Sequence, residues 1–384
     1  MLINGKRALA HVQLVHDITP ITGADNIELI HVLGWTLIAK KGEFKDGDKC
    51  IYIEIDSKVD ENDERFSFLQ SKHYKVKTYK LNKFGVVSQG LALPLSLFPE
   101  LGDLDINTDI TNTLHITYAV DEDNVRKSNV DSMTSLKNKK PKLFKNPFVK
   151  WLMRFKFGRW LILKLFGKKK NDSFPTHLCS KTDEERIENV PFYLGTGPYY
   201  YSEKLDGSSA TYAMERKGPN KFEFYVCSRN VRFLNSKEDC FYKENIYWEQ
   251  AIKYDIEFKL KTYLRSSKHK SIVIQGEIVG PSVQKKTYGL KERDFFVFNI
   301  IDDGVRYNTP AMEKIASALS LRTVPILGLI DELPETMEEI KQLAEGKSMI
   351  GDCNREGLVY RKINGESAFK NVSLSYLLEK KGKE

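Results

Sequence analysis

Ser202-Glu-Lys-Leu-Asp-Gly-Ser-Ser209 is the stretch on which the rest of the chain turns. One lysine, Lys204, stands among turn-forming and polar residues directly after the strand-like run Tyr199-Tyr-Tyr201. A lysine amine is a nucleophile only when unprotonated, so a reactive Lys204 needs nearby cations or desolvation to lower its pKa. Gly207 would let the backbone approach a bound phosphate closely. Taken alone, Lys-Leu-Asp-Gly is a common tetrapeptide, and a surface lysine before a turn is the ordinary reading. Its surroundings have to decide.

Outward from this stretch, residues 173–384 mix strands and helices. Ser271–Gln275 and Asp294–Ile301 read as buried strands. Thr309-Pro310 opens a helix with proline in its first turn. Thr336 and Glu339 form a capping box for another, which Gly346 stops. Strands and helices without strict βαβ repetition give an α+β class. Residues 1–118 read as short strands: Glu28–Ala39 and Cys50–Asp56 are β-branched and alternating, with turn residues over Lys41–Asp48 between them. About five strands in this length fit an OB-like β-barrel. Within it, Lys75, Lys77 and Tyr79 would share one strand face. There they suit a phosphate backbone and a stacked base, and equally a solvated edge strand guarded by lysine. Residues 119–172 form a linker between the two regions.

The 384 residues are 41% hydrophobic and 29% charged, an ordinary soluble composition that excludes disordered and collagen-like classes. The net charge of +8 is uneven. Lys137–Lys170 holds 13 basic residues and no acidic one, so the remainder is mildly acidic. Within that segment Phe148, Leu152, Phe155 and Ile162 recur at roughly helical spacing beside Trp151 and Trp160. Such a basic amphipathic helix suits nucleic acid, a domain seam or a membrane surface. The apolar stretch Trp160–Phe166 is broken by Lys164 and far too short to span a bilayer, and the first residues have no apolar signal core. Five widely spaced cysteines without a Cys-x-x-Cys pair argue against a disulfide framework or structural zinc site. A reducing compartment is expected: the cytoplasm, with the nucleus not excluded.

Further motifs follow Lys204 in order: Ser228-Arg-Asn230, Gln275-Gly-Glu-Ile-Val-Gly280, Phe296-Val-Phe-Asn299, Arg355-Glu-Gly-Leu-Val-Tyr-Arg361 and Ala368-Phe-Lys-Asn371. With the Lys204 stretch they resemble motifs I, Ia, III, IIIa, IV and V of the covalent nucleotidyltransferases, which include ATP-dependent ligases and mRNA capping enzymes. Capping enzymes and DNA ligases carry their OB domain after motif V, whereas only 14 residues follow Lys370 here and the barrel-like region comes first. That order, with Pro20–Asp25, Gly34-Trp35, Lys40–Glu43, Ser88–Leu91 and Lys181–Arg186, is similar to the Deinococcus-type RNA ligases. Motif V often carries two lysines separated by one residue; here Ala368 and Asn371 flank Lys370, with Arg361 or Lys362 as candidate helpers. Asn299 stands where aspartate often follows the stacking phenylalanine.

The resemblance implies an OB-like nucleic-acid-binding domain (1–118), a basic linker (119–172) and a mixed α/β adenylyltransferase domain, ATP-grasp-like, over 173–384. It implies an ATP-dependent RNA ligase sealing 3′-hydroxyl and 5′-phosphate ends at nicks in duplexes, with RNA on the 3′-hydroxyl side. Lys204 would form lysyl-AMP and Lys370 would contact the α-phosphate. Glu356 would bind Mg²⁺ or Mn²⁺ or its water shell, Glu277 would contact the ribose or the metal shell, and Phe298 would stack on adenine. Arg229 would contact ribose or phosphate, Asp206 would shape the loop and the metal environment, Gly207 would border the nucleotide phosphate, and Glu203 is a weaker nucleotide contact. A monomer without stable membrane insertion is expected. The competing classes are a non-catalytic RNA-binding protein with a degenerate domain, and a capping-type guanylyltransferase.

Overall fold

The computed structural model describes residues 2–3, 6–119, 144, 146–153, 155, 162, 172–182, 184–238, 240–242 and 244–379. Its N-terminal part is built on β1 (Ala10–Pro20), β2 (Ile27–Val32), β3 (Trp35–Lys40), β4 (Lys49–Ile53) and β5 (Leu91–Pro94). They pair antiparallel in the order β5-β4-β1-β2-β3. The long β1 is interrupted between His16 and Thr19, so one strand serves both halves of a curved sheet. This is the half-closed sheet of an OB-fold. Val15, Ile30, Val32, Trp35 and Leu37 fill one of its cores, and Ile51, Ile53, Phe66 and Phe98 another.

Two sequence expectations change here. The run Glu28–Ala39 is a hairpin, because Leu33 takes a left-handed conformation (φ 54°) and turns the chain at Leu33-Gly34. Lys75, Lys77 and Tyr79 do not share one strand. Lys75 pairs with Lys58 in a small three-stranded sheet, Tyr79 pairs with Ser88 in a separate hairpin, and Lys77 lies between them.

The C-terminal part stacks two sheets. One runs, from its edge, through Asp172–Ser173, Val231–Phe233, β8 (Phe222–Ser228), β7 (Ser208–Arg216), β9 (Ser271–Val279), β10 (Asp294–Asp302) and Val305–Arg306; Arg322–Thr323 pairs parallel with β10. The other has the order Glu185–Arg186, β13 (Ala368–Val372), β12 (Gly357–Lys362), β6 (Tyr199–Lys204) and β11 (Ile326–Ile330). Helices α1 (Ile246–Lys253), α2 (Ile256–Ser266) and α3 (Thr309–Ala318) cover the first sheet over a core including Tyr212, Ile272, Ile274, Phe295 and Val297. The expected caps form: Pro310 lies in the first turn of α3, and Thr336 caps α4 (Met337–Leu343), its Oγ1 donating to Glu339 Oε2 at 2.7 Å. A short helix, α5 (Leu374–Glu379), follows β13.

Of the cationic segment, Pro147–Leu152 is helical, with Val149 and Ile162 buried beside Phe144, Leu152 and Met153. Trp160 and most of Lys137–Lys170 lie outside the described residues. Among the described residues no helix is long and apolar enough to cross a membrane.

The two parts meet at Gly34-Trp35. Trp35 Nε1 donates to Asn189 Oδ1 at 2.7 Å, and the Arg186 guanidinium lies 4.9 Å from the indole centroid. Gly34 N–H donates to Glu188 O, and Lys341 Nζ donates to Gly34 O at 2.7 Å. A Cβ on Gly34 would lie 2.7 Å from Glu188 Cα, so the approach of the two backbones requires glycine there. Trp35→Phe keeps an aromatic ring but leaves the buried Asn189 oxygen without its donor, an expected loss of about 1–3 kcal/mol. Trp35→Ala adds a cavity and is expected to cost about 3–5 kcal/mol. Urea unfolding of both variants checks the order; equal losses would contradict a packed seam.

Candidate active site

A cleft of about 340 Å³ opens between the two C-terminal sheets. Lys204, Gly207, Arg229, Glu277, Phe298 and Lys370 all border it. These residues come from five separate strands or strand ends, and the antiparallel register explains the meeting. Lys204, the last residue of β6, sits opposite Gly357, so Glu356 arrives beside it from the start of β12. Lys204 Nζ is 2.8 Å from Glu356 Oε2. On β13, Lys370 lies opposite Val359, whose other strand neighbour is Ser202, so Lys370 faces the cleft one row from Lys204. Glu277 lies opposite Ser209 on β9, and Phe298 reaches in half-buried from β10. Arg229 is exposed at the lip, after the end of β8.

The turn between β6 and β7 is held tightly. A Cβ on Gly207 would stand 2.2 Å from the carbonyl oxygen of Ile278, so only glycine lets the Lys204 turn lie against β9. The Gly207 amide also bonds the Glu277 carboxylate.

Lys204 is poised as a cation. Burial pushes its amine down, but Glu356, Glu277 and Asp206 push it further up, to a net value above that of a free lysine. Burial raises the Glu277 carboxyl to about 8, against the pull of Lys204. The hard oxygen donors of Glu356 and Glu277, facing one amine, are a donor set that fits a divalent cation.

Two predicted residues stand differently. Glu203 borders the cleft, but its Oε2 accepts the Met349 N–H at 2.8 Å, on the strand face opposite Lys204. Asp206 is behind the cleft wall: its N–H donates to Tyr288 Oη at 2.6 Å and its carboxylate meets the Tyr376 hydroxyl. Tyr288 and Tyr376 carried no sequence signal, because they reach the Lys204 turn only once the loop between β9 and β10 and helix α5 have folded back beside it.

Arg361 and Lys362 are placed differently. Arg361 sits directly opposite Ala368 and lines the cleft, whereas Lys362 is on the alternate strand face. The Arg361 guanidinium donates to Asn299 Oδ1 and pairs with Glu184 at 3.1 Å. Both departures from the motif pattern, Ala368 and Asn299, therefore meet at one arginine that joins the two sheets.

A model of the family described as RNA ligase matches residues 197–373, and an OB-fold domain model matches residues 9–95. No curated protein sequence matches the chain. Solved structures of Naegleria gruberi RNA ligase do. A lysine-to-alanine variant with ATP and Mn is 29% identical, over 97% of this chain and 98% of that one. A lysine-to-methionine variant with AMP and Mn is 30% identical, over 97% and 99%. The protein with PPi is also 30% identical, over 98% and 99%. The TM-score is 0.72 for each.

Arg361→Ala would strand the buried Asn299 oxygen and remove the Glu184 pair, an expected cost of about 1–3 kcal/mol. Arg361→Lys should recover only part of it, since an ammonium lacks the planar fork that spans both partners. Denaturant titration of the two variants measures the difference; full recovery by lysine would count against the bridging role.

Proposed function

The chain belongs to the RNA ligase family, and from that premise we propose that it is an ATP-dependent ligase joining RNA 3′-hydroxyl and 5′-phosphate ends at nicks in duplexes, through lysyl-AMP on Lys204. The observation that carries this reading is the pairing of Lys204 with Glu356 in a cleft that also gathers Glu277, Phe298, Lys370 and Arg229.

The chemistry follows from what each group offers. A phosphate monoester has no good leaving group, so the RNA 5′ end needs activation before a hydroxyl can displace anything from it. Lys204 Nζ, after giving up a proton, attacks the α-phosphorus of ATP; an N–P bond forms, the bond to the β-phosphate oxygen breaks, and pyrophosphate leaves. The RNA 5′-phosphate then attacks the same phosphorus and frees the lysine. Finally the 3′-hydroxyl attacks the activated 5′-phosphate and AMP departs. Every step is an in-line transfer helped by positioning and charge neutralisation.

In this scheme Lys370 neutralises charge on the α-phosphate, Arg229 meets ribose or phosphate at the lip, and Phe298 offers a flat face to adenine. Gly207 keeps the turn close enough for its backbone to border the nucleotide. Glu356 and Glu277 would hold Mg²⁺ or Mn²⁺, which when bound supplies neutralisation of the pyrophosphate leaving group. The OB-fold would grip the duplex beside the break, through phosphate and 2′-hydroxyl contacts.

Incubation with ATP labelled at the α-phosphate is expected to attach one AMP to the native protein and none to Lys204→Ala. A Lys204→Ala variant that still gained label would end this reading, and equal labelling with GTP would point to a guanylyltransferase. Nicked duplexes varied between RNA and DNA on each side test the substrate: sealing is expected to require RNA on the 3′-hydroxyl side. Because the resting amine is held protonated above the ordinary lysine value, the adenylylation rate should climb up to about tenfold per pH unit from about pH 7 to about pH 9. A flat rate profile across that range would contradict an amine that must lose its proton first.

A further inference from the structure

The end of the β9–β10 pair remote from the cleft carries a second cluster of side chains. His269 Nδ1 lies 3.1 Å from Asp302 Oδ1 and 3.3 Å from Asp303 Oδ2, and the three atoms are all within 4.8 Å of one another. The Asp303-Gly304 turn places one carboxylate, with both residues at positive φ, and the last residue of β10 places the other.

The remaining polar atoms of the cluster are fixed by donors from outside it. Asp302 Oδ2 accepts the hydroxyls of Tyr263 at 2.8 Å and Tyr307 at 3.0 Å. Asp303 Oδ1 accepts the amides of Lys270 and Ser271, both at 2.8 Å. The Tyr263 ring stacks on the His269 imidazole, with centroids 6.3 Å apart. Asp302 Oδ1 is different. Its side chain is only 4% exposed, it points at His269, and it receives no hydrogen bond among the described residues. A buried carboxylate oxygen left in this way is costly unless a cation faces it.

Two of the spacings fit a tetrahedral cation. Bonds of about 2.0–2.1 Å at tetrahedral angles set neighbouring ligand atoms about 3.3 Å apart, close to the two separations seen. An imidazole nitrogen in the set favours a transition metal over magnesium, which prefers an octahedral shell of oxygens. The outer donors to both carboxylates are the kind of support that orients metal ligands.

We propose that His269, Asp302 and Asp303 form a binding site for a zinc-type divalent transition metal, with three protein ligands and a fourth position open to solvent. The site is separate from the cleft: Ser271 and Glu277 are six residues apart on one strand, roughly 20 Å. It rests on no assumption about ligation.

Calorimetric titration of zinc into the full-length, chelator-treated protein tests the assignment. The native protein is expected to show a zinc-binding event that His269→Ala and Asp302→Asn weaken at least tenfold and that Glu356→Gln, in the cleft, leaves in place. Zinc should raise the Tm of the native protein and not that of His269→Ala. Zinc binding unchanged in His269→Ala would overturn the proposal, as would magnesium displacing the bound zinc at equal concentration. Should Asp302→Asn fail to fold, the half-exposed His269 still permits the test through His269→Ala and His269→Gln.

Discussion

The antiparallel pairing of β6 with β12 is the constraint on which the cleft depends. It sets Lys204 against Gly357 and so delivers Glu356 to the amine from a distant part of the chain. The same ladder continues into β13 and fixes Lys370 one row away. Since the side-chain period of a strand is two, a slip of one residue would turn Lys204 or Lys370 to the opposite face. Leu358, Tyr360 and Phe369 are buried on the other side of this sheet, which makes such a slip expensive and holds the register.

The cleft is electrostatically frustrated in a useful way. Burial works against the charge on Lys204, yet three carboxylates restore it. The carboxyl of Glu277 feels the reverse balance and rises to about 8. An amine and carboxylates kept in such tension respond strongly to any new charge that enters between them, because the surrounding protein screens weakly. Arg361 contributes from deeper in, where burial lowers its guanidinium and Glu184 opposes that shift.

Much of this was legible in the sequence because the motifs are short contiguous runs whose order survives in the linear chain. The caps of α3 and α4 followed from Pro310 and Thr336, whereas Gly207, marked in the sequence for approach to a phosphate, is required here by the Ile278 carbonyl of β9. What was not legible depended on pairings between remote segments. Arg361 gained its place only when Ala368 was found opposite it, and Tyr376 only when α5 lay beside the Lys204 turn. Lys77 misled because an alternating pattern does not show where one strand yields to another in a different sheet. Glu203 sits next to the nucleophile in sequence, but alternation along β6 sends its carboxylate the other way.

Arg186 belongs to two neighbourhoods at once. Its backbone runs alongside Lys370 as a parallel strand partner, and its guanidinium rests over Trp35. Gly34, bound to Glu188 and Lys341 on either side, closes the same junction. One short stretch, 185–189, thus serves both as the strand that borders Lys370 and as the surface on which Trp35 of the N-terminal sheet is seated.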